Sequence, residues 1–157
     1  MKAASISEIK KELKEKSVPE LMELCLRLAR YKKENKELLT YLLFEGDDLD
    51  HYIKNAKEEI RDLFGEITTT NLYFVKKSLR KIVRITNKYI RYTGSKTAQV
   101  ELQLYFCQLI KESSIAIKKS AALKKLYEGQ IKKIEEGINT LHEDLQYEYN
   151  RQLEALK

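Results

Sequence analysis

The sequence predicts an all-α fold of six to eight helices with no β-sheet, and three observations carry that prediction. Apolar residues recur at three- and four-residue spacing along nearly the whole chain, and strict apolar–polar alternation is almost absent. The 157 residues include one Pro and five Gly, too few for the turns of an all-β protein. The helices are expected to make an irregular bundle or a short stack of helical hairpins in the manner of an α–α superhelix. A chain of this size buries about 68–70% of its unfolded surface, so a single helical domain over 1–157 needs no disulfide or metal to hold it. Substructure is expected at 1–45, 47–112 and 114–157.

Taken in order, Ser5 followed by Glu8 reads as a capping box opening a short charged helix to about Lys16, with Ile6, Ile9 and Leu13 on one face. Ser17 opens the second helix, because Pro19 is tolerated only in a first turn and Glu20 falls three residues after the cap. Its stripe is Leu21, Leu24, Cys25, Leu28 and Tyr31, expected to face inward. A tight turn is expected near Asn35, and Leu38, Leu39, Leu42 and Leu43 resume the pattern up to Gly46. Asp47 or Asp48 then caps a fourth helix bearing Leu49, Tyr52, Ile53, Ala56, Ile60, Leu63 and Phe64.

The run Thr68–Asn71 reads as a break before a fifth helix reaching about Tyr92, with Gly94 and Ser95 as the next punctuation. The sixth helix shows Val100, Leu102, Leu104, Phe106 and Leu109 on more than one face, which predicts a central position. After a turn near Ser113, residues 115–156 form one bent helix or two, with a break expected at Gly129.

Charge distribution supplies the functional signal. Between Ile67 and Val100 stand eight basic residues and no acidic one, whereas Glu45 to Glu66 holds eight acids and three bases. At 100° per residue, Lys76, Arg80, Arg84 and Lys88 form one row, which Lys77, Lys81 and Arg91 widen to an arc of about 140° opposite the apolar side. Three readings fit this row: a solvated face neutralised by the acidic fourth helix, a docking surface for an acidic protein or a second copy, or a phosphate-binding surface with Tyr73 or Tyr92 for base stacking. The expected contact residues are Lys76, Lys77, Arg80, Lys81, Arg84, Lys88, Arg91 and Tyr92. A protein partner or self-association is favoured over nucleic acid.

Catalytic motifs are missing: there is no Gly-rich phosphate loop, no two-His zinc helix and no Gly-flanked Ser nucleophile. The chain is therefore expected to act by binding, without cofactor or metal. Asp48 with His51 has the spacing of a carboxylate–His ligand pair on one helix face, but His142 is preceded three residues earlier by Asn139 and cannot supply the matching set. A helix cap is the favoured reading of Asp48, and an exposed polar turn that of His142 to Asp144. Tyr31, Tyr41, Tyr52, Tyr89 and Tyr105 fall at stripe positions and are expected at the core or its edge. Tyr147 and Tyr149 cannot share a helix face, so one of them is expected outside. No apolar run approaches the roughly 20 residues of a membrane span, and the N-terminal residues lack the apolar segment of a secretory signal. Cys25 and Cys107, each among apolar neighbours, are expected as buried thiols in a reducing cytoplasm.

Overall fold

The computed structural model describes residues 2–68 and 70–157. They form eight α-helices, a π-helical turn and a 3₁₀ turn, with no strand among the described residues. The all-α expectation is met. The chain divides into two compact units, one ending at Phe44 and the other running Glu45–Lys157.

The first unit contains α1 (Ile6–Lys14), α2 (Val18–Tyr31) and α3 (Lys33–Thr40), and α3 passes into the π-helical turn Tyr41–Glu45. Both expected capping boxes are present. Glu8 accepts the Ser5 N–H at 2.7 Å, and Glu20 accepts the Ser17 N–H at 2.8 Å. These backbone hydrogen bonds, with help from the Ser hydroxyls, hold both carboxyls below the usual carboxylate range. The break expected near Asn35 falls instead at Lys32, a single residue in extended conformation. Lys33, Glu34 and Asn35 join the first turn of α3, where polar side chains are well tolerated because they face water. The Asn35 amide then donates to the Leu28 carbonyl at 2.8 Å and ties α3 to α2.

The α2 stripe departs further from expectation. Leu21 is half-buried, but Leu24, Cys25, Leu28 and Tyr31 are exposed, Tyr31 at 76%. Periodicity identifies an apolar face without specifying what covers it. Cys25 is accordingly an exposed thiol, and only Cys107 is buried.

The second unit is built around α6 (Lys96–Glu112), which packs against α4 (Leu49–Gly65), α5 (Leu72–Thr93), α7 (Ala121–Ile138) and α8 (Glu143–Glu154). Its central position follows from its composition: Ala98, Val100, Leu102, Leu104, Phe106, Cys107 and Ile110 are all buried, on several faces. Around them lie Ile60 of α4, Leu79 and Ile82 of α5, Ile134 of α7 and Leu153 of α8. Each such side chain, fully buried, contributes roughly 1.5–3 kcal/mol. Asp48 caps α4 by accepting the His51 N–H at 2.9 Å, as the sequence suggests.

The C-terminal segment differs from its expected layout. Ile115 starts no α-helix; Ser113–Ala116 is irregular and Ile117–Lys119 is a 3₁₀ turn. Ser120 caps α7, which runs straight through Gly129, and the break lies at Asn139–Leu141, after which His142 caps α8. A single exposed Gly costs only about 1 kcal/mol in a helix, and the packing of Leu123, Ile134 and Ile138 outweighs it. Among the tyrosines, Tyr41 and Tyr52 are buried and Tyr89 and Tyr105 half-buried, as expected, while Tyr31 is not. Tyr147 is exposed and Tyr149 buried, which resolves that pair.

Candidate interaction surface on α5

The position of the basic row follows from how α5 is seated. Asn71 caps it by accepting the Tyr73 N–H at 2.9 Å; Thr69, in the expected break, lies outside the described residues. Gly94 at φ +61° ends it in the left-handed conformation that glycine adopts without a Cβ clash, and Ser95 immediately caps α6. Between these ends Val75, Leu79, Ile82 and Thr86 are buried. That fixes the rotation of the helix and turns the opposite arc outward.

On that arc Lys77, Arg80, Lys81, Arg84 and Arg91 are exposed, and Lys76 and Lys88 are half-buried. Among the described residues, none of Lys76, Lys77, Arg80, Lys81, Arg84 and Arg91 forms an ion pair. Four-residue steps along an α-helix are about 6 Å, so the charges repeat at a pitch short enough to repel by a few tenths of a kcal/mol per pair. Two aromatic rings join the surface. Lys76 Nζ lies 5.8 Å from the centre of the Tyr73 ring, and Lys88 Nζ lies 5.9 Å from that of half-buried Tyr92. Tyr73 is 62% exposed.

One flank of the arc meets acids. A groove of about 340 Å³ has Glu59 and Asp62 of α4 and its C-cap Glu66 on one side and Lys81, Ile85, Lys88 and Tyr89 of α5 on the other. The Tyr89 hydroxyl donates to Glu59 across it, and the Tyr52 hydroxyl donates to the Tyr89 carbonyl at 3.4 Å. The acidic fourth helix thus reaches the Lys81–Lys88 edge, while among the described residues no carboxylate pairs with Lys77, Arg80, Arg84 or Arg91. Neutralisation by the acidic fourth helix was one of the three readings of the row, and the structure places that helix along one flank of it only. The spacing of Glu59, Asp62 and Glu66, three and four residues apart, lines them along that flank.

No family model matches the chain, and no curated protein or solved structure matches it significantly.

Away from α5, polar chemistry concentrates where α4, α6 and α8 meet. Glu101 sits 2.7 Å from Lys57 Nζ and accepts the Tyr149 hydroxyl at 3.0 Å, and Arg61 Nε donates to the Tyr105 hydroxyl at 2.8 Å. Sequence reasoning missed this cluster, because its bonded partners are more than 40 residues apart. Every charged member already has a partner, so its chemistry is cross-linking of helices. Among the described residues no three His, Cys, Asp or Glu converge on a metal-sized site. His51 Nε2 instead lies 3.1 Å from the Asn55 amide. No helix among these residues is long and apolar enough to cross a membrane.

Proposed function

We propose that the protein is a non-enzymatic helical binding module whose contact surface is the outer face of α5, and that the partner is an acidic protein surface, on another protein or another copy. The observation that carries this reading is the unpaired, exposed set Lys77, Arg80, Arg84 and Arg91 on one side of a rigid 22-residue helix. Desolvating such a row needs compensating carboxylates, and the Coulomb gain at an interface is larger than in water. The acid wall of Glu59, Asp62 and Glu66 favours a partner of limited footprint, since a long polyanion spreading over that flank would meet like charge. The two unpaired thiols fit a reducing compartment such as the cytoplasm.

Nucleic acid is the second reading, supported by exposed Tyr73 beside Lys76, an arrangement that lets a base stack next to a neutralised phosphate. Fluorescence anisotropy with a labelled oligoglutamate peptide and a labelled DNA duplex separates the two. The proposal expects saturable peptide binding that is lost in R80E/R84E. Tighter duplex binding, falling log-linearly with salt, transfers the surface to nucleic acid. Binding of neither probe, or binding indifferent to charge reversal, refutes the α5 surface in both forms.

A further inference from the structure

We propose that the groove between α2 and α3 is a second docking site, independent of α5, that receives the apolar face of an acidic amphipathic helix from another protein. The groove has a volume of about 630 Å³ and a floor of Leu26, Ala29, Leu39, Leu43 and Phe44. Its charged lining is exclusively cationic: Arg30, Lys32, Lys33 and Lys36. Leu43 and Phe44 are 64% and 80% exposed. The N-terminal unit as a whole carries twelve of the seventeen exposed large hydrophobics among the described residues. Apolar surface gathered to that degree and rimmed by charge marks an interaction site.

Three features identify the occupant. Two contacting helices with apolar residues between them present the ridges and hollow that a third helix fills, with anchors at three- and four-residue spacing. The rim selects for negative charge on that helix. Lys32 and Lys36 form no ion pair among the described residues, and Arg30 and Lys33 stand only 3.6 Å from exposed or half-exposed Glu23 and Glu37, contacts that a partner carboxylate exchanges at little cost. The groove is also preformed. The Ser17–Glu20 capping box fixes the start of α2, the Asn35 amide ties α3 to the Leu28 carbonyl, and Leu43 and Phe44 are held in the π-helical turn Tyr41–Glu45 that continues α3. Preformed walls lower the ordering cost of binding.

A second copy of the chain does not supply this helix. The acidic helix α4 buries Ile53, Ala56 and Ile60, and α8 buries Tyr149 and Leu153 while its exposed Leu145 and Tyr147, two residues apart, fall on different faces and form no apolar stripe. The exposed apolar side of α1 comes with Lys10, Lys11 and Lys14 against Glu8 and Glu12, so it brings no net negative charge.

The test uses the full chain and a labelled peptide of roughly four helical turns, with Leu at helical spacing and Glu elsewhere, against a peptide of the same composition in scrambled order. Anisotropy is expected to show the ordered peptide binding at least about tenfold more tightly than the scrambled one, a difference of one decade in Kd. K32E/K36E and L43Q/F44Q are each expected to reduce that binding about tenfold or more, with circular dichroism unchanged because these side chains are exposed. R80E/R84E is expected to leave it unaltered, which separates this site from α5. Equal binding of the two peptides, or indifference to both groove variants, overturns the proposal. So does a dimer by light scattering that L43Q/F44Q dissociates, since the groove is then filled by a second copy.

Discussion

Glu101 accepts the hydroxyl of Tyr149 at 3.0 Å, and its second carboxylate oxygen lies 2.7 Å from Lys57 Nζ, so one side chain on α6 links α4 and α8. Hydrogen bonds to charged groups are worth about 1.5–3 kcal/mol, and Lys57 and Glu101 are each roughly a quarter to a third exposed. Tyr149→Phe is therefore expected to cost about 1–2 kcal/mol, and Glu101→Ala more than Lys57→Met, because the carboxylate serves two partners. Urea midpoints check the order. Equal and negligible losses for all three variants would show that the link contributes nothing.

The same residues give the fold an alkaline limit. Burial, reinforced by the charge of Glu101, pushes the Tyr149 hydroxyl up to about 12, and burial pushes Tyr127 and the Cys107 thiol up to about 12 as well. Their ordinary values are 10.0 for tyrosine and 9.0 for cysteine. Folded values above unfolded ones mean that the unfolded chain releases protons first as pH rises. The stabilisation is complete below about pH 9 and declines between about pH 9 and 12. Urea midpoints across that window should fall, and fall less steeply in Tyr149→Phe. A flat profile to pH 12 contradicts the assignment.

Two glycines on α7 should respond oppositely to alanine. A Cβ on Gly137 would stand 2.8 Å from Cγ2 of fully buried Val100, closer than carbon atoms pack, whereas a Cβ on Gly129 meets nothing within 4 Å. Gly137→Ala should destabilise by about 1–3 kcal/mol through overpacking, and Gly129→Ala should stabilise by about 1 kcal/mol through helix propensity. Thermal melts of the two variants, moving in the same direction, would refute the close approach of α7 to α6.

The two thiols should be distinguishable by reagent. Cys25 is exposed, while Cys107 is buried and held protonated. Since the thiolate is the nucleophile, a disulfide reagent should titrate one thiol immediately in the native protein and the second only in denaturant. Simultaneous reaction of both would place Cys107 at the surface.

Much of the fold was legible because helix ends are local events. Ser5, Ser17, Asp48, Asn71 and Ser95 each announce a helix within four residues of sequence, and all five are caps in the structure. What was not legible depended on distant surfaces. Gly129 and Gly137 look alike in sequence, and only the proximity of Val100 distinguishes them. The α2 stripe has the right period, but nothing in it indicates that Leu28 and Tyr31 remain uncovered. The basic row was readable because an α5 without acids must turn its charges away from its own apolar side. That the acidic fourth helix would flank it was one of the three readings, but which bases it reaches was not legible, since the pairing of Glu59 with Tyr89 joins residues 30 positions apart.

Side-chain and amide NMR shifts during titration with the oligoglutamate peptide report on whether the outer face of α5 is a contact surface. Saturable shifts concentrated at Lys77, Arg80, Arg84 and Arg91 are expected, and their disappearance in R80E/R84E. Shifts distributed over lysines of every helix, or none on α5, would contradict that role.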